Sequence, residues 1–420
     1  MTASLRQPNR RQLLRAGLHA SVLGGVGLAA PTATWAWDGP NNSTAPDDVA
    51  IVRDILETLH PGLTRYQTPR QFDAAHRQFA RDWAADDRLE ARYLALSRLL
   101  ARIRCGHSYA NFFNQSEAVA SALFDRPTRL PFAFRWLDDA IVVTADHSGA
   151  GGRTALALPP GTLIKAVDGV PVRQMLHRVL PYVRVDGHNP GKARALLSVS
   201  GVERYEFFDI FHGLLFGPPD GGRFRLRLRT PGATRDQGVA APALTLGERR
   251  SMMPTAAVEG LSAGEQWQWT ERPDGVTILR MDGWDVFNSR WDWQGWLNAR
   301  LDSLRPSDGL VIDLRQNEGG LDCGDPILAR LATTVLPQPA GRRLVRYRRV
   351  PDRLRPWLDT WDDSFFDWGD DATPYDAGRF ALRGEGGEEG IVPDQRRLTN
   401  RVAVLTSART AAPPSSSRCG

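Results

Sequence analysis

Apolar positions recur at helical spacing from Asp47 to Ile103 and give way after Pro131 to short runs of strand character. Val49, Ile51, Val52, Ile55, Leu56 and Leu59 share one face behind Asp47, which reads as a helix cap, and Pro61-Gly62 ends that helix. Thr68-Pro69 is a capping residue followed by proline at the first helical position. A third helix carries Leu89, Tyr93, Leu96, Leu99 and Ile103. These three predict an N-terminal helical cap within 38–125. Strands are predicted at Phe132 to Trp136 and Ala140 to Val143, then around Leu163 to Val167 with an Asp168-Gly169 turn and a restart at Val170-Pro171. Phe224 to Leu228 alternates apolar residues with Arg, as a half-exposed strand does. Together these predict a small β domain over 127–247, with Val185 to Pro219 read as an insertion.

From Gly275 apolar strands alternate with helices, the pattern of an α/β core with parallel pairing over 265–420. Strands fall at Val276 to Leu279, Leu310 to Leu314 and Val402 to Leu405, and helices at Trp296 to Leu304 and Asp325 to Leu336. Trp357 to Asp371, rich in Trp, Phe and Asp, lacks a period and reads as a loop whose aromatics tuck onto the sheet, in preference to a calcium or sugar site.

The first residues change the picture of where the protein works. Arg6, Arg10, Arg11 and Arg15 precede an acid-free, weakly apolar run from Ala16 to Ala30. Asn9-Arg10-Arg11-Gln12-Leu13-Leu14 resembles the twin-arginine export signal, with cleavage expected between Ala33 and Ala36. An amphipathic N-terminal helix or anchor is the alternative, which Gly24, Gly25 and Gly27 disfavour. A signal over 1–36 implies a periplasmic or secreted protein with no stable membrane insertion after its removal. Removing its four arginines takes the formal charge from +5 to +1. The remaining Arg residues interleave with Asp and Glu, so nucleic acid is not an expected partner.

Chemistry is concentrated in two places. Leu310 to Gly320 is a buried strand running into Asp313-Leu314-Arg315-Gln316-Asn317-Glu318-Gly319-Gly320, a polar turn whose glycine pair can aim backbone N–H groups at an oxyanion. Ile103-Arg104-Cys105-Gly106-His107-Ser108-Tyr109 follows the third helix and offers an imidazole suited to general base catalysis. Taken singly, the first could be an ordinary strand-to-helix turn, and His107 a helix-terminal cap favoured by the dipole.

Taken together they resemble the tail-specific (C-terminal processing) serine peptidases. The first segment matches that family's Asp-Leu-Arg-x-Asn-x-Gly-Gly motif, and the second its helix-end Gly-His-Thr/Ser element in the tricorn-like branch. The resemblance implies an α/β fold with a crotonase-like core, helical cap and PDZ-like domain. It implies peptide-bond hydrolysis through a serine acyl-enzyme, with a polypeptide substrate and no cofactor or metal. His107 is the implied base, and Gly319 and Gly320 lie in the implied oxyanion turn.

One departure stands out. In the family a strand like Val402 to Thr406 leads within a few residues to the nucleophile at a helix start, whereas here Thr410-Ala411 leads to Ala412-Pro413-Pro414-Ser415-Ser416-Ser417-Arg418-Cys419-Gly420. Prolines oppose a helix there, so Ser415 to Ser417 are poor nucleophiles. The tail can be encoded by codons that in another frame spell a segment ending Thr-Phe-Gln-Phe-Ala-Val-Arg, and the resemblance, which implies such a segment after a Thr-Ala-Ser nucleophile turn, puts the lost serine at or beside Ala412. The expected functions are therefore a serine-type peptidase whose chain as given lacks its nucleophile, or an inactive peptide-binding protein. A carbohydrate module, suggested by 13 Trp, is disfavoured by their scatter. The resemblance also sets Cys105 and Cys323 near one site, as a disulfide or as two separate buried thiols.

Overall fold

The computed structural model describes residues 45–201, 203–252, 266–286, 289–337, 343–360, 362–383 and 390–410. Residues 1–44 and 411–420, on which the export-signal and tail expectations fall, lie outside them. Among the described residues, those from 45 to 252 make one unit, apart from 59–61, which group with those from 266 to 410 in the other.

In the first unit, helix α1 (Ala45–Leu59) begins two residues before Asp47, which therefore lies inside it and is not its cap. Helix α2 (Pro69–Ala85) starts as the sequence predicts. The Thr68 hydroxyl accepts from the Gln71 N–H at 3.2 Å, and the Gln71 side chain accepts from the Thr68 N–H at 2.8 Å. This reciprocal box satisfies two of the N–H groups a helix start otherwise leaves open. Helix α3 (Leu89–Ile103) buries Tyr93, Leu99 and Ile103, and Arg104 in the left-handed region (φ 59°) ends it. Helix α4 (Glu117–Phe124) follows, capped by Ser116.

The sheet of this unit runs β1 (Phe132–Leu137), β2 (Ala140–Asp146), β3 (Leu163–Val167), β5 (Arg223–Arg229), β6 (Gln237–Pro242) in spatial order, all antiparallel, with the short β4 (Val170–Pro171) folded back on β3. Asp168 (φ 48°) and Gly169 (φ 80°) both turn left-handed between β3 and β4, the reason an Asp-Gly pair sits there. Helices α5 (Val172–Val179), α6 (Pro190–Leu196) and α7 (Phe207–Phe216) intervene before β5 (Arg223–Arg229) and β6 (Gln237–Pro242), and a short α8 (Leu246–Arg250) follows. On β5, Phe224, Leu226 and Leu228 point inward.

The segment Val185 to Pro219, read as an insertion, contributes to the core of this unit. Its α6 and α7 supply Leu196, Phe207, Phe208, Ile210 and Phe211 to the core. Helix α7 is apolar around nearly its whole circumference, so it offers no two-faced period for sequence reasoning to detect.

The second unit holds a four-stranded sheet in the order β13 (Arg401–Leu405), β9 (Gly309–Asp313), β8 (Val276–Met281), β7 (Trp267–Glu271). Strand β7 (Trp267–Glu271) forms an antiparallel hairpin with β8 (Val276–Met281); β8, β9 (Gly309–Asp313) and β13 (Arg401–Leu405) are parallel. Helix α9 (Trp293–Asp302) connects β8 to β9, and Leu279, Leu297, Leu301 and Leu310 meet in one core. The parallel α/β expectation holds, whereas β7 was not anticipated. Helix α10 (Asp325–Leu331) stops five residues short of the expected end. Ala332 is extended, and Leu336 instead exchanges backbone hydrogen bonds with Ile391 at 3.0 and 2.8 Å. A small sheet orders β10 (Leu344–Val345), β12 (Arg379–Leu382) and β11 (Ala372–Asp376), and Trp368 packs on its apolar face. Among the described residues no helix is long and apolar enough to cross a membrane.

Candidate active site

His107 sits in the turn that follows α3. Left-handed Arg104 throws the chain out of the helix, and the Ser108 N–H donates to the Cys105 carbonyl at 3.1 Å, closing a tight turn with the imidazole exposed. Asp186 accepts from the Gly106 N–H at 2.7 Å, Arg184 donates to the Gly106 carbonyl, and the Gly187 N–H donates to the Arg104 carbonyl at 2.9 Å. Lys192 pairs with the second oxygen of Asp186 at 3.1 Å. The buried guanidinium of Arg184 lies 4.6 Å from the centre of the Tyr109 ring and 5.6 Å from that of Phe207. Sequence reasoning missed Arg184, Asp186 and Lys192 because no motif or local period marks them, and the last two fall in the segment read as an insertion.

Gly319 and Gly320 belong to the other unit, just beyond the carboxyl ends of its parallel strands, the place where open α/β sheets gather their chemistry. Asp313 lies level with Arg280 of β8 and Leu405 of β13, so the three strands end together. Arg315 bonds the Asp313 carboxylate at 2.9 and 2.7 Å and holds its pKa below the ordinary range. Asn317, 2% exposed, donates to the Met281 carbonyl at 2.9 Å and accepts from the Gly319 N–H at 2.8 Å, tying the end of β8 to the glycine pair.

The two glycines then differ. Gly319 (φ 107°) has open space where a side chain would project, and its N–H is engaged by Asn317. Gly320 (φ 134°) pairs with Trp284: the Trp284 N–H donates to the Gly319 carbonyl at 3.0 Å, and the Leu321 N–H donates to the Trp284 carbonyl at 2.9 Å. Among the described residues the Gly320 N–H meets no acceptor. Of the two glycine amides, Gly319's is therefore engaged and Gly320's has no acceptor among the described residues.

The segment after β13 is fastened to this turn. The Ser407 hydroxyl donates to the Arg315 carbonyl at 2.6 Å, the Thr410 hydroxyl donates to the Leu314 carbonyl at 2.7 Å, and Arg409 meets the buried Glu318 carboxylate at 2.7 Å. Thr410 is consequently held beside the end of the Asp-Leu-Arg strand. Cys105 and Cys323 stand as buried thiols and not as a disulfide, the second of the two expected arrangements. Burial, reinforced by Asp322, Asp325 and Asp285, pushes the Cys323 thiol far up, so it stays protonated and is a poor nucleophile. Burial beside Asp322 raises Asp325 to about 6.

A second set of titratable groups lies inside the first unit, around the start of α7. Asp209 pairs with Arg249 of α8 and lies 3.8 Å from Arg129; all three side chains are buried. Glu206 accepts from the Ser200 N–H and hydroxyl at 3.1 and 2.8 Å and from the Gly201 N–H at 2.8 Å. Burial, with Asp209 as a like charge, pushes Glu206 up to about 7 against the pull of Arg249. Among the described residues no group of three or more His, Cys, Asp or Glu is arranged to hold a metal ion.

No protein-family model and no curated protein matches the chain. Solved structures do. A crystal structure of a serine-to-alanine mutant of CPAF, a chlamydial tail-specific serine protease, matches with a TM-score of 0.50 at 14% identity, over 87% of this chain and 79% of that one. Mature CPAF matches with a TM-score of 0.44 at 14% identity, over 86% and 78%. At this identity the likeness is one of fold, and the protein has a tail-specific-protease-like fold of mixed helix and sheet.

Proposed function

We propose that this protein is a serine-type peptidase of the tail-specific kind, acting in the periplasm or outside the cell on polypeptides and hydrolysing peptide bonds through an acyl-enzyme. The observation that carries this is the Asp313 to Gly320 turn. It combines a buried Asn317 that locks the strand end, a glycine whose left-handed backbone leaves an N–H without an acceptor among the described residues, and a following strand whose outgoing segment is bolted to the same turn. The fold likeness to CPAF supports the reading. In it His107 takes the serine proton as general base and returns it to the leaving amine, while the Gly320 N–H holds the oxyanion. The helical cap, PDZ-like domain and crotonase-like core are the parts this reading assigns to the fold, with the PDZ-like domain binding the substrate chain.

The nucleophile falls after Thr410, outside the described residues, and the reading places it at or beside Ala412 in a coding sequence whose 3′ end is read in the other frame. The test expresses the 420-residue chain beside that frame-repaired version and follows casein cleavage and fluorophosphonate labelling. Activity in the repaired chain alone, abolished by His107→Ala, supports the reading. Equal activity in both, or labelling of the shorter chain at Ser415 to Ser417, shows the nucleophile to be misplaced. Labelling of neither, with peptide binding retained, leaves the inactive peptide-binding protein as the better description.

A further inference from the structure

The turn carrying His107 is held from outside its own helix. Gly106 donates its N–H to Asp186 at 2.7 Å and its carbonyl accepts from Arg184, so the amides on both sides of this one residue are gripped by side chains of opposite charge. Each gripping group is itself held. Lys192, whose side chain is only 7% exposed, meets the other oxygen of Asp186 at 3.1 Å, and Arg184 is packed against the rings of Tyr109 and Phe207. A Cβ at position 106 would fall 2.5 and 2.6 Å from the Asp186 carboxylate oxygens. A side chain there would displace the Asp186 carboxylate from its bond, so this close approach, and not a left-handed backbone, is what favours glycine in the Gly-His pair, Gly106 having no positive φ.

We propose that Asp186 and Arg184 are positioning residues for His107, fixing the backbone dihedrals of Gly106 and with them the direction in which the imidazole leaves the turn. The inference rests on the reading of His107 as the general base. Catalytic groups need placement to within about half an ångström, which an unsupported surface turn does not provide. Hydrogen bonds to charged partners are the stronger kind, and a carboxylate on the N–H with a guanidinium on the carbonyl leaves Gly106 little freedom to rotate.

The experiment reads His107 itself and needs no turnover. In the full 420-residue chain, exchange of the Gly106 amide is followed by mass spectrometry or NMR. The rate at which diethylpyrocarbonate modifies His107 is mapped by peptide from pH 5.5 to 8. Asp186→Ala should speed Gly106 exchange by about tenfold or more, the factor one hydrogen bond to a charged group is worth. It should also change the His107 modification rate, while amides in the middle of α3 keep their protection. Asp186→Asn keeps an acceptor oxygen and Arg184→Lys keeps a donor; both should stay nearer the parent in both readouts, and they serve if Asp186→Ala does not fold. Gly106→Ala should disturb His107 reactivity more than Gly106→Ala combined with Asp186→Ala, because the second change removes the carboxylate the methyl meets.

Faster Gly106 exchange with an unaltered His107 pH profile would overturn the proposal, as would Gly106 exchange indifferent to Asp186. Failure of the peptidase reading shows differently: His107→Ala would leave cleavage and labelling by the frame-repaired chain intact, whatever the exchange measurements give.

Discussion

Replacing Gly320 by alanine should damage the second unit more than replacing its neighbour Gly319. At position 320 the new methyl would press into the carbonyl carbon and oxygen of Trp284 and lie 2.7 Å from the Asp285 nitrogen. Carbon atoms rest at about 3.5–4.0 Å, and the obstacle is backbone, which cannot swing aside as a side chain can. Holding a residue with a Cβ at φ 134° adds about 1–3 kcal/mol, and forcing the methyl into occupied space adds about 1–3 kcal/mol more. At Gly319, with φ 107° and nothing within 4 Å of the added methyl, only the first cost applies. The loss for Gly320→Ala should then be about 2–6 kcal/mol and exceed that for Gly319→Ala by about 1–3 kcal/mol. Urea unfolding followed by tryptophan emission suits the measurement, because nine of the 13 tryptophans lie between 267 and 368, in this unit. Hydrogen exchange of the Trp284 amide, which donates to Gly319, reports the site directly. Equal losses for the two substitutions would refute the argument that contact with Trp284, and not glycine's dihedral freedom alone, fixes position 320.

Glu206 has a folded pKa raised to about 7 by burial and Asp209, so its contribution to stability is whole below about 4.5 and declines as pH rises towards 7. Glu206→Gln keeps the oxygen that receives Ser200 and Gly201 and should flatten that decline in urea midpoints taken from pH 4 to 8. His212, stacked between Phe208 and Phe216, behaves oppositely: burial lowers it to about 4, so its contribution is whole above about 6.5 and lost as pH falls from there towards 4. His212→Phe should therefore remove an acid-side loss in the same titration, and an unchanged acid limb would count against it. Arg409→Ala takes the guanidinium from a Glu318 side chain only 5% exposed and should weaken the 407–410 segment by about 1–3 kcal/mol. Exchange of the Ser407 amide, which donates to the Thr410 hydroxyl at 2.9 Å, should quicken accordingly, and Arg409→Lys should recover part of the protection.

Much of the architecture could be read from residue order because local signals and tertiary packing agree. Thr68-Pro69 specified a helix start, Asp168-Gly169 a left-handed turn, and the apolar runs at 276, 310 and 402 three parallel strands. The misses have physical causes. Asp47 resembles a cap, but the helix begins before it. The period continuing past Leu331 was apolar yet belongs to residues that pair with Ile391 instead. Helix α7, buried all round, carries no two-faced pattern, so its place in the core was not legible in the sequence. At the candidate site the motif residues themselves were visible in the sequence, but their supports were not. Asp186 lies 80 positions from Gly106, and Ser407, Arg409 and Thr410 lie more than 90 from the turn they fasten, so only the folded chain reveals them. Which of the two glycine amides is engaged within the turn was equally invisible, since it depends on Asn317 and on pairing with Trp284.

The fastening of β13 also orders events in time. Thr410 bonds Leu314 across 96 positions of chain, and the sheet edge it completes pairs β9 with a strand made long after it. At synthesis rates of about 5–20 residues per second, several seconds separate the emergence of the two strands from the ribosome. Helices α1 to α3 and the hairpin of β1 and β2, all built from nearby residues, can form during that interval, whereas closing so long a loop must wait for the partner strand. Until then β9 presents an unpaired backbone edge on that side, and slowing translation across residues 314–400 should lower the yield of native protein.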